Sequence, residues 1–412
     1  VIRWAFRTER GKPIRLDRFA AVFTSHDAPD PADQAMRRLG ELTVRGAPEL
    51  VRGHVCGWDQ VWQAANVAVR GDDFAQTALR FAAYHLTGAA NPESDRASIG
   101  ARALTGPGYK GHFFWDTEIY MLPFFVFSQP AAARALLMYR YRTLPAARLN
   151  ARRQGYRGAL YAWESADTGD EATPAFALAA DGRVIPILTG QLEHHISADI
   201  AYAVWHYWQA TGDDDFFRQV GAEILVETAR FWASRCRLGR DGLYHIYRVI
   251  GPDEYHEGVD DNAYTNVMAQ WNLERAAEAV YILQQRWPED WRRLFEKLGL
   301  DFGEPQEWVQ VAARMYTGFG PKTGLFEQFR GYFGLEEVDL SAYQDRKVPM
   351  DVLLGPERVR RSKIIKQPDV VLLIYLLWDR FPPRVRRANF DYYERWTAHG
   401  SSLSLPIQAA VA

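Results

Sequence analysis

Four short stretches of this 412-residue chain concentrate residue types that do chemistry. They are GPGYKGHFFWDTE (Gly106 to Glu118), YAWESADTGDEATP (Tyr161 to Pro174), VIGPDEYHEGVDDNAYTN (Val249 to Asn266) and HGSSLS (His399 to Ser404). Glycine lets a backbone approach a ligand, tryptophan offers a flat apolar face, and a carboxylate accepts hydroxyl hydrogens. Together these types describe a carbohydrate cleft. Cleaving a glycosidic bond needs a carboxylic acid that protonates the leaving oxygen while a nucleophile approaches the other face of the ring. Glu254 is the candidate acid. It sits in a tight Gly-Pro-Asp-Glu-Tyr segment after an apolar run, where Pro252 stiffens the backbone and Tyr255 can desolvate the carboxyl. A structural role for Glu254, closing a turn or pairing with an arginine, fits the motif alone equally well.

The nucleophile decides the reaction class. An inverting hydrolase sets a second carboxylate roughly 6.5 to 9.5 Å from the acid, leaving room for a water. Phosphate as nucleophile needs an anion cradle instead. HGSSLS holds no carboxylate; just before a helix start it can supply backbone N–H groups, the Ser401 and Ser402 hydroxyls and a cationic His399. The competing reading of so short a string is an ordinary serine-rich helix cap. Asp116, behind Trp115, can bind two hydroxyls of a glucosyl ring or merely cap a helix over Thr117 to Phe127. Trp163 and Glu164 join the sugar-binding set on the same grounds. Lys366 and Gln367, ahead of an apolar helix, can reach a sugar hydroxyl or stand solvated at the helix entrance. His194 and His195 face different ways on a helix and have no third ligand at a suitable spacing, so no metal is expected. Inorganic phosphate is a co-substrate in this reading, and no cofactor is implied.

These loops need a scaffold. From about Asp59 onward, apolar residues recur at helical spacing between loops rich in Gly, Pro and Asp. The pattern predicts a helix over SADIAYAVWHYWQATGD, with Ser197 as N-cap and Gly212 just past its end. Others are expected over Asp215 to Ser234, Tyr264 to Arg286, and Pro368 to Trp378 with Pro368 at the first helical position. No internal repeat is evident, so periodicity predicts paired helices and not a closed barrel. Val1 to Ser25 reads as two strands joined at Gly11, Lys12 and Pro13. That is a hairpin with no sheet to join, expected to be the end of a larger β domain. Pro29 and Pro31 break the pattern before a polar helical stretch from Ala32.

Bulk composition narrows the functions. Lys+Arg 49 against Asp+Glu 51 leaves a net charge of −2, with no electrostatic footprint for nucleic acid or an anionic membrane. Cys56 and Cys236, far apart, make neither a disulfide framework nor a zinc site, and a reducing, cytoplasmic setting is expected. The longest apolar runs, such as Met121 to Phe127, are far too short to span a bilayer.

In this order, GYKGHFFWDTEIYMLPFF, ALYAWESADTGDEATP, HISADIAYAVWHYWQATGD, VIGPDEYHEGVDDNAYTNVMAQWNL, IIKQPDVVLLIYLL and HGSSLS resemble glycoside hydrolase family 65. That group holds the maltose, trehalose and kojibiose phosphorylases and their relatives. The resemblance covers essentially the whole chain. It implies a mainly α fold: an incomplete (α/α)6 barrel over residues 66–412, preceded by the last strands of an N-terminal β-sandwich at 1–27 and a helical linker at 28–65. A further barrel helix and a C-terminal jelly roll are expected beyond Ala412. Carried onto matching positions, the resemblance makes Glu254 the general acid and places Trp115, Asp116, Lys366 and Gln367 against the glucosyl unit. It places His399, Gly400, Ser401 and Ser402 on the phosphate loop. The implied reaction is inverting phosphorolysis of an α-glucosyl disaccharide to β-glucose 1-phosphate, with the disaccharide and phosphate as partners and a homodimer as the implied assembly. An inverting hydrolase using Glu394 or another carboxylate as base is the alternative, and a catalytically silent sugar-binding module is a third reading. Two departures flank the loop: Arg395-Trp396 stands where the family has Pro-Arg, and Leu405-Pro406 where a proline follows the SSLS string directly.

Overall fold

Helices form wherever apolar residues recur at helical spacing. The computed structural model describes residues 3–178 and 182–412, and the chain divides into two units, Val1–Ala83 and Tyr84–Ala412. In the first unit the Asp30 carboxylate accepts the Asp33 N–H at 3.0 Å and Pro31 opens the helix Pro31–Arg45. Gly46, at φ 78°, ends it, and the helix Ala47–Ala65 follows at once.

The two strands expected before these helices are corrected by the structure. Among the described residues, 3–25 carry no β-ladder; a turn in which Lys12 N–H donates to the Glu9 carbonyl at 3.1 Å is what remains of the hairpin. Val1 and Ile2 lie outside the described residues. The alternating Trp4, Phe6, Ile14 and Leu16 stay exposed. No apolar face is covered, and a two-stranded ribbon without further strands is marginal in water.

The second unit is organised around the 24-residue helix Ala263–Arg286. Asn262 starts it, its Oδ1 accepting the Thr265 N–H at 2.9 Å. The helix packs on Ile196–Thr211, Ala222–Arg235, Glu304–Ala313 and Asp369–Leu376. Small residues (Ala263, Ala269, Ala276, Ala279) and large ones (Met268, Leu273, Leu283) share its buried surface, which lets neighbouring helices interlock closely. Deeply buried helices such as 263–286 and 369–376 alternate with half-exposed partners such as Pro288–Leu298 and Pro383–Glu394. That is the double layer of an (α/α)6 barrel. Strand structure among the described residues is limited to short antiparallel ribbons, for example Phe176–Leu178 with Val184–Pro186. No described helix is long and apolar enough to cross a membrane.

Three helix starts differ from expectation. Ser197 lies inside the helix Ile196–Thr211, and its hydroxyl accepts the Tyr161 N–H at 3.1 Å instead of capping; a tertiary donor outcompetes the local one. Pro368 precedes the helix Asp369–Leu376 as its cap. The segment expected as Asp215 to Ser234 begins at Asp214, capped by Asp213, and is interrupted by a π-helical turn at Phe217–Gly221. A second π turn, Thr117–Met121, replaces the first half of the helix expected at Thr117 to Phe127. Such single-residue swellings recur at functional sites. Gly212 ends its helix at φ 67° as expected.

Candidate active site

The loop bearing Glu254 is closed at its base by Val249 and Val259, which exchange both backbone hydrogen bonds at 2.9 Å. Asp253, buried beside the acid, knots it to its surroundings. Its carboxylate accepts the Lys366 N–H at 2.7 Å and the Gln328 amide at 3.1 Å, and pairs with His256 Nδ1 at 2.6 Å. Its own N–H donates to Asp369 Oδ1 at 2.7 Å. Asp369 also accepts from Asn262 Nδ2 at 2.7 Å; burial, with the Asp253 charge adding, pushes its pKa well above the ordinary value. A Cβ on Gly251 would fall 2.4 Å from Asn262 Nδ2 and Asp369 Oδ2, so glycine is required there.

This knot sets Glu254 against Lys366, whose Nζ donates to Glu254 Oε1 at 2.8 Å. The Glu254 side chain is 37% exposed, which corrects the expectation of a buried carboxyl: Tyr255 turns its hydroxyl toward Asp351, at 3.3 Å, instead of enclosing the acid. Gln367 is buried and donates to the Pro252 carbonyl, while its Oε1 has no partner among the described residues.

The HGSSLS loop lies alongside. Ile365 N–H donates to the Trp396 carbonyl at 3.0 Å, Ala398 N–H to that of Ile365 at 2.8 Å and Gly400 N–H to that of Lys366 at 3.0 Å. A Cβ on Gly400 would meet the Tyr255 hydroxyl at 3.1 Å and Lys366 Cγ at 3.3 Å. Glu254, Lys366 and the 399–402 loop are therefore neighbours. The Gly400 N–H is already committed, whereas the N–H groups of Ser401 and Ser402 carry no bond among the described residues. His399 adopts φ 48°, with Nδ1 2.8 Å from Ser404 Oγ. Burial and then Arg346 lower its pKa, which works against the cationic imidazole expected there. Glu394 is exposed at the end of the helix Pro383–Glu394.

Asp116 makes no side-chain cap to the turn it precedes. Enclosure pushes its pKa up to about 6, with the charges of Glu118 and Glu254 adding. The unfolded chain would ionise near 3.8, so between these values the folded state holds the extra proton and stability falls as pH rises. Asp116→Asn is therefore expected to stabilise the sugar-free protein above pH 6, by about 2–3 kcal/mol at most from roughly 1.4 kcal/mol per pKa unit. Thermal melts from pH 4 to 8 check this, and a gap between variant and parent that does not narrow toward pH 4 would count against it.

Trp115 is almost fully buried, its ring 4.8 Å from that of His195, 5.3 Å from Tyr120 and 6.2 Å from Trp163. It forms the wall behind Asp116 and not an open platform. Trp163 is held by its N–H to Glu171 at 2.8 Å, and Glu164 pairs with His112 Nδ1 at 2.6 Å; no direct bond ties either side chain to Glu254 among the described residues.

Sequence reasoning missed the buried polar set under this wall. His195 Nδ1 is 2.7 Å from Asp199, which accepts the Tyr264 hydroxyl at 2.7 Å. His195 Nε2 faces Glu193 at 3.9 Å, and neither that nitrogen nor either Glu193 oxygen has a hydrogen-bond partner among the described residues. Burial, with the Glu254 charge adding, pushes the Glu193 pKa well up, so it holds its proton. The available signal was His195 and Asp199 at i, i+4 on one helix face.

Comparison with known proteins places this geometry. The model of the "Glycosyl hydrolase family 65 central catalytic domain" matches residues 80–412. A kojibiose phosphorylase of Caldanaerobacter subterraneus subsp. tengcongensis is 44% identical, over 98% of this chain and 53% of that protein. A 1,2-alpha-glucosylglycerol phosphorylase of Bacillus selenitireducens is 39% identical over 98% and 53%. An alpha,alpha-trehalose phosphorylase of Thermoanaerobacter brockii is 34% identical over 98% and 51%. A solved structure from the human microbiome, assigned as a kojibiose phosphorylase, superposes with a TM-score of 0.83 at 29% identity, covering 92% of this chain and 51% of that one. The chain spans about half the length of the curated relatives it matches. It belongs to glycosyl hydrolase family 65.

Proposed function

We propose that the protein containing this chain cleaves an α-glucosyl disaccharide by inverting phosphorolysis. The supporting observation is the carboxylate-free loop 399–402, packed at Gly400 against Tyr255 and Lys366, the residues flanking Glu254 in sequence and in space. A water-activating base has no counterpart within that loop. In the resting arrangement Lys366 occupies an oxygen of Glu254. A glucosyl unit settling on Asp116, Lys366 and Gln367 draws the ammonium onto a sugar hydroxyl and frees the carboxyl. Glu254 then gives its proton to the glycosidic oxygen as the C–O bond breaks, while a phosphate oxygen held by His399, Ser401 and Ser402 bonds to the anomeric carbon from the opposite face. The free sugar leaves with the Glu254 proton. The proton shed by the new phosphate ester returns to Glu254, so the cycle balances.

The leaving sugar has room in a cavity of about 670 Å³ lined by Glu254, Tyr255, Ile185, Leu188 and Leu192. Kojibiose is the disaccharide to test first, because relatives at 44% and 41% identity are kojibiose phosphorylases. Full-length protein incubated with kojibiose, maltose or trehalose is expected to release β-glucose 1-phosphate only when phosphate is present. Turnover equally fast without phosphate would replace this reading with hydrolysis, in which Glu394 or another carboxylate activates water.

A further inference from the structure

Two cavities whose linings carry opposite charge lie near the 399–402 loop, which lines one of them. One is the cavity of about 670 Å³ beside Glu254. The other is a separate cavity of about 380 Å³, lined by Gln344, Arg346, Lys347, Met350, His399 and Gly400 among others. The two share no lining residue. Met350 faces one and its neighbour Asp351 the other; Gly400 lines the smaller cavity, and a Cβ placed on it would meet the hydroxyl of Tyr255, which lines the larger, at 3.1 Å.

Charge distinguishes the two. The larger cavity carries Glu254, Glu257, Asp351 and Glu357 against Arg248 and Arg360. It suits a neutral sugar and repels an anion. The smaller one carries Arg346 and Lys347 and no carboxylate. Arg346 donates to the Tyr343 carbonyl at 3.1 Å and to that of Ala398, so the guanidinium is tethered to the residue just ahead of the loop. Neither Arg346 nor Lys347 forms an ion pair among the described residues. Their charge is uncompensated at the place where the loop backbone is exposed to the cavity.

We infer that phosphate reaches the 399–402 loop through this smaller cavity, as a dedicated anion entrance guided by Arg346 and Lys347, and not through the sugar cleft. The inference rests on the phosphorolysis reading. It has a kinetic meaning: a disaccharide filling the larger cavity leaves the path of phosphate open. Fixed charge at an entrance acts mainly on the encounter rate, by factors of about 10 to 1,000, and is screened by salt.

The test uses full-length protein, inorganic phosphate and saturating disaccharide. Lys347→Glu, at an exposed position, is expected to lower kcat/KM for phosphate about tenfold at low ionic strength. The deficit should shrink in about 0.5 M salt, with kcat at saturating phosphate and KM for the disaccharide retained. Raising the disaccharide far above its KM should leave the apparent KM for phosphate flat. A Lys347→Glu variant within twofold of the parent at low salt, or disaccharide inhibition competitive with phosphate, would overturn the entrance. Turnover independent of phosphate would be a different failure, since it removes the phosphorolysis reading and the entrance with it.

Discussion

Glu254→Gln is expected to lower kcat for disaccharide phosphorolysis by about a thousandfold, within the 10²–10⁴ that a positioned general acid supplies. Glutamine retains the shape of the side chain but has no proton to give the leaving oxygen. The side chain is partly exposed and its one strong partner is Lys366, so folding should be little affected and the thermal midpoint should stay close to that of the parent. α-Glucosyl fluoride separates the acid from any structural role, because fluoride departs without protonation. A variant that fails on the disaccharide yet still transfers glucose from the fluoride to phosphate has lost the acid alone. A variant that fails on both, or on neither, rules this assignment out.

The largest loss of stability is expected from Arg140→Leu. Arg140 and Glu118 are each about 1% exposed and meet through two hydrogen bonds, at 2.7 and 2.8 Å. Arg140 also donates to the Phe114 carbonyl at 2.9 Å. The guanidinium therefore braces the backbone on both sides of Trp115 and Asp116. Removing it leaves the Glu118 charge buried and alone, which costs about 3–5 kcal/mol, whereas replacing both partners by apolar residues is often close to neutral. Urea unfolding of the parent, Arg140→Leu and the double variant Glu118→Leu/Arg140→Leu checks both statements. A single variant as stable as the parent would show that the pair is not sealed from water.

How far the sequence reached can be judged residue by residue. Glu254 and Asp116 could be singled out because glycine, tryptophan and carboxylate share their short spans; that Lys366 Nζ lies 2.8 Å from Glu254 is a long-range pairing that no local pattern announces. The long helix at 263–286 was legible from its period, one residue short at its start, while its Asn262 cap went unread. The burial of His195 was not legible, since it depends on Trp115, Trp163 and Tyr264 arriving from three distant parts of the chain. The π turns at 117–121 and 217–221 leave no periodic signature, because one extra residue per turn shifts the pattern by less than its noise. Strand propensity misled at residues 3–25, where alternation describes a surface that only a neighbouring sheet can cover. Ser197 misled in the same way: a hydroxyl ahead of an apolar run can serve the backbone of its own helix or that of Tyr161, and spacing does not say which.

The side-by-side course of residues 365–366 and 396–400 makes this centre forgiving of spelling and unforgiving of length. Links between main chains are indifferent to side-chain identity, so Arg395-Trp396 can depart from the family pattern while the Trp396 carbonyl still receives Ile365. Gaining or losing one residue between Trp396 and Gly400 would slide every such partner by about 3.3 Å, the rise of an extended residue. In the proposed reaction, the phosphate would then be held out of line with the bond it attacks. Substitutions between Trp396 and Gly400 should therefore be tolerated better than a one-residue insertion or deletion there.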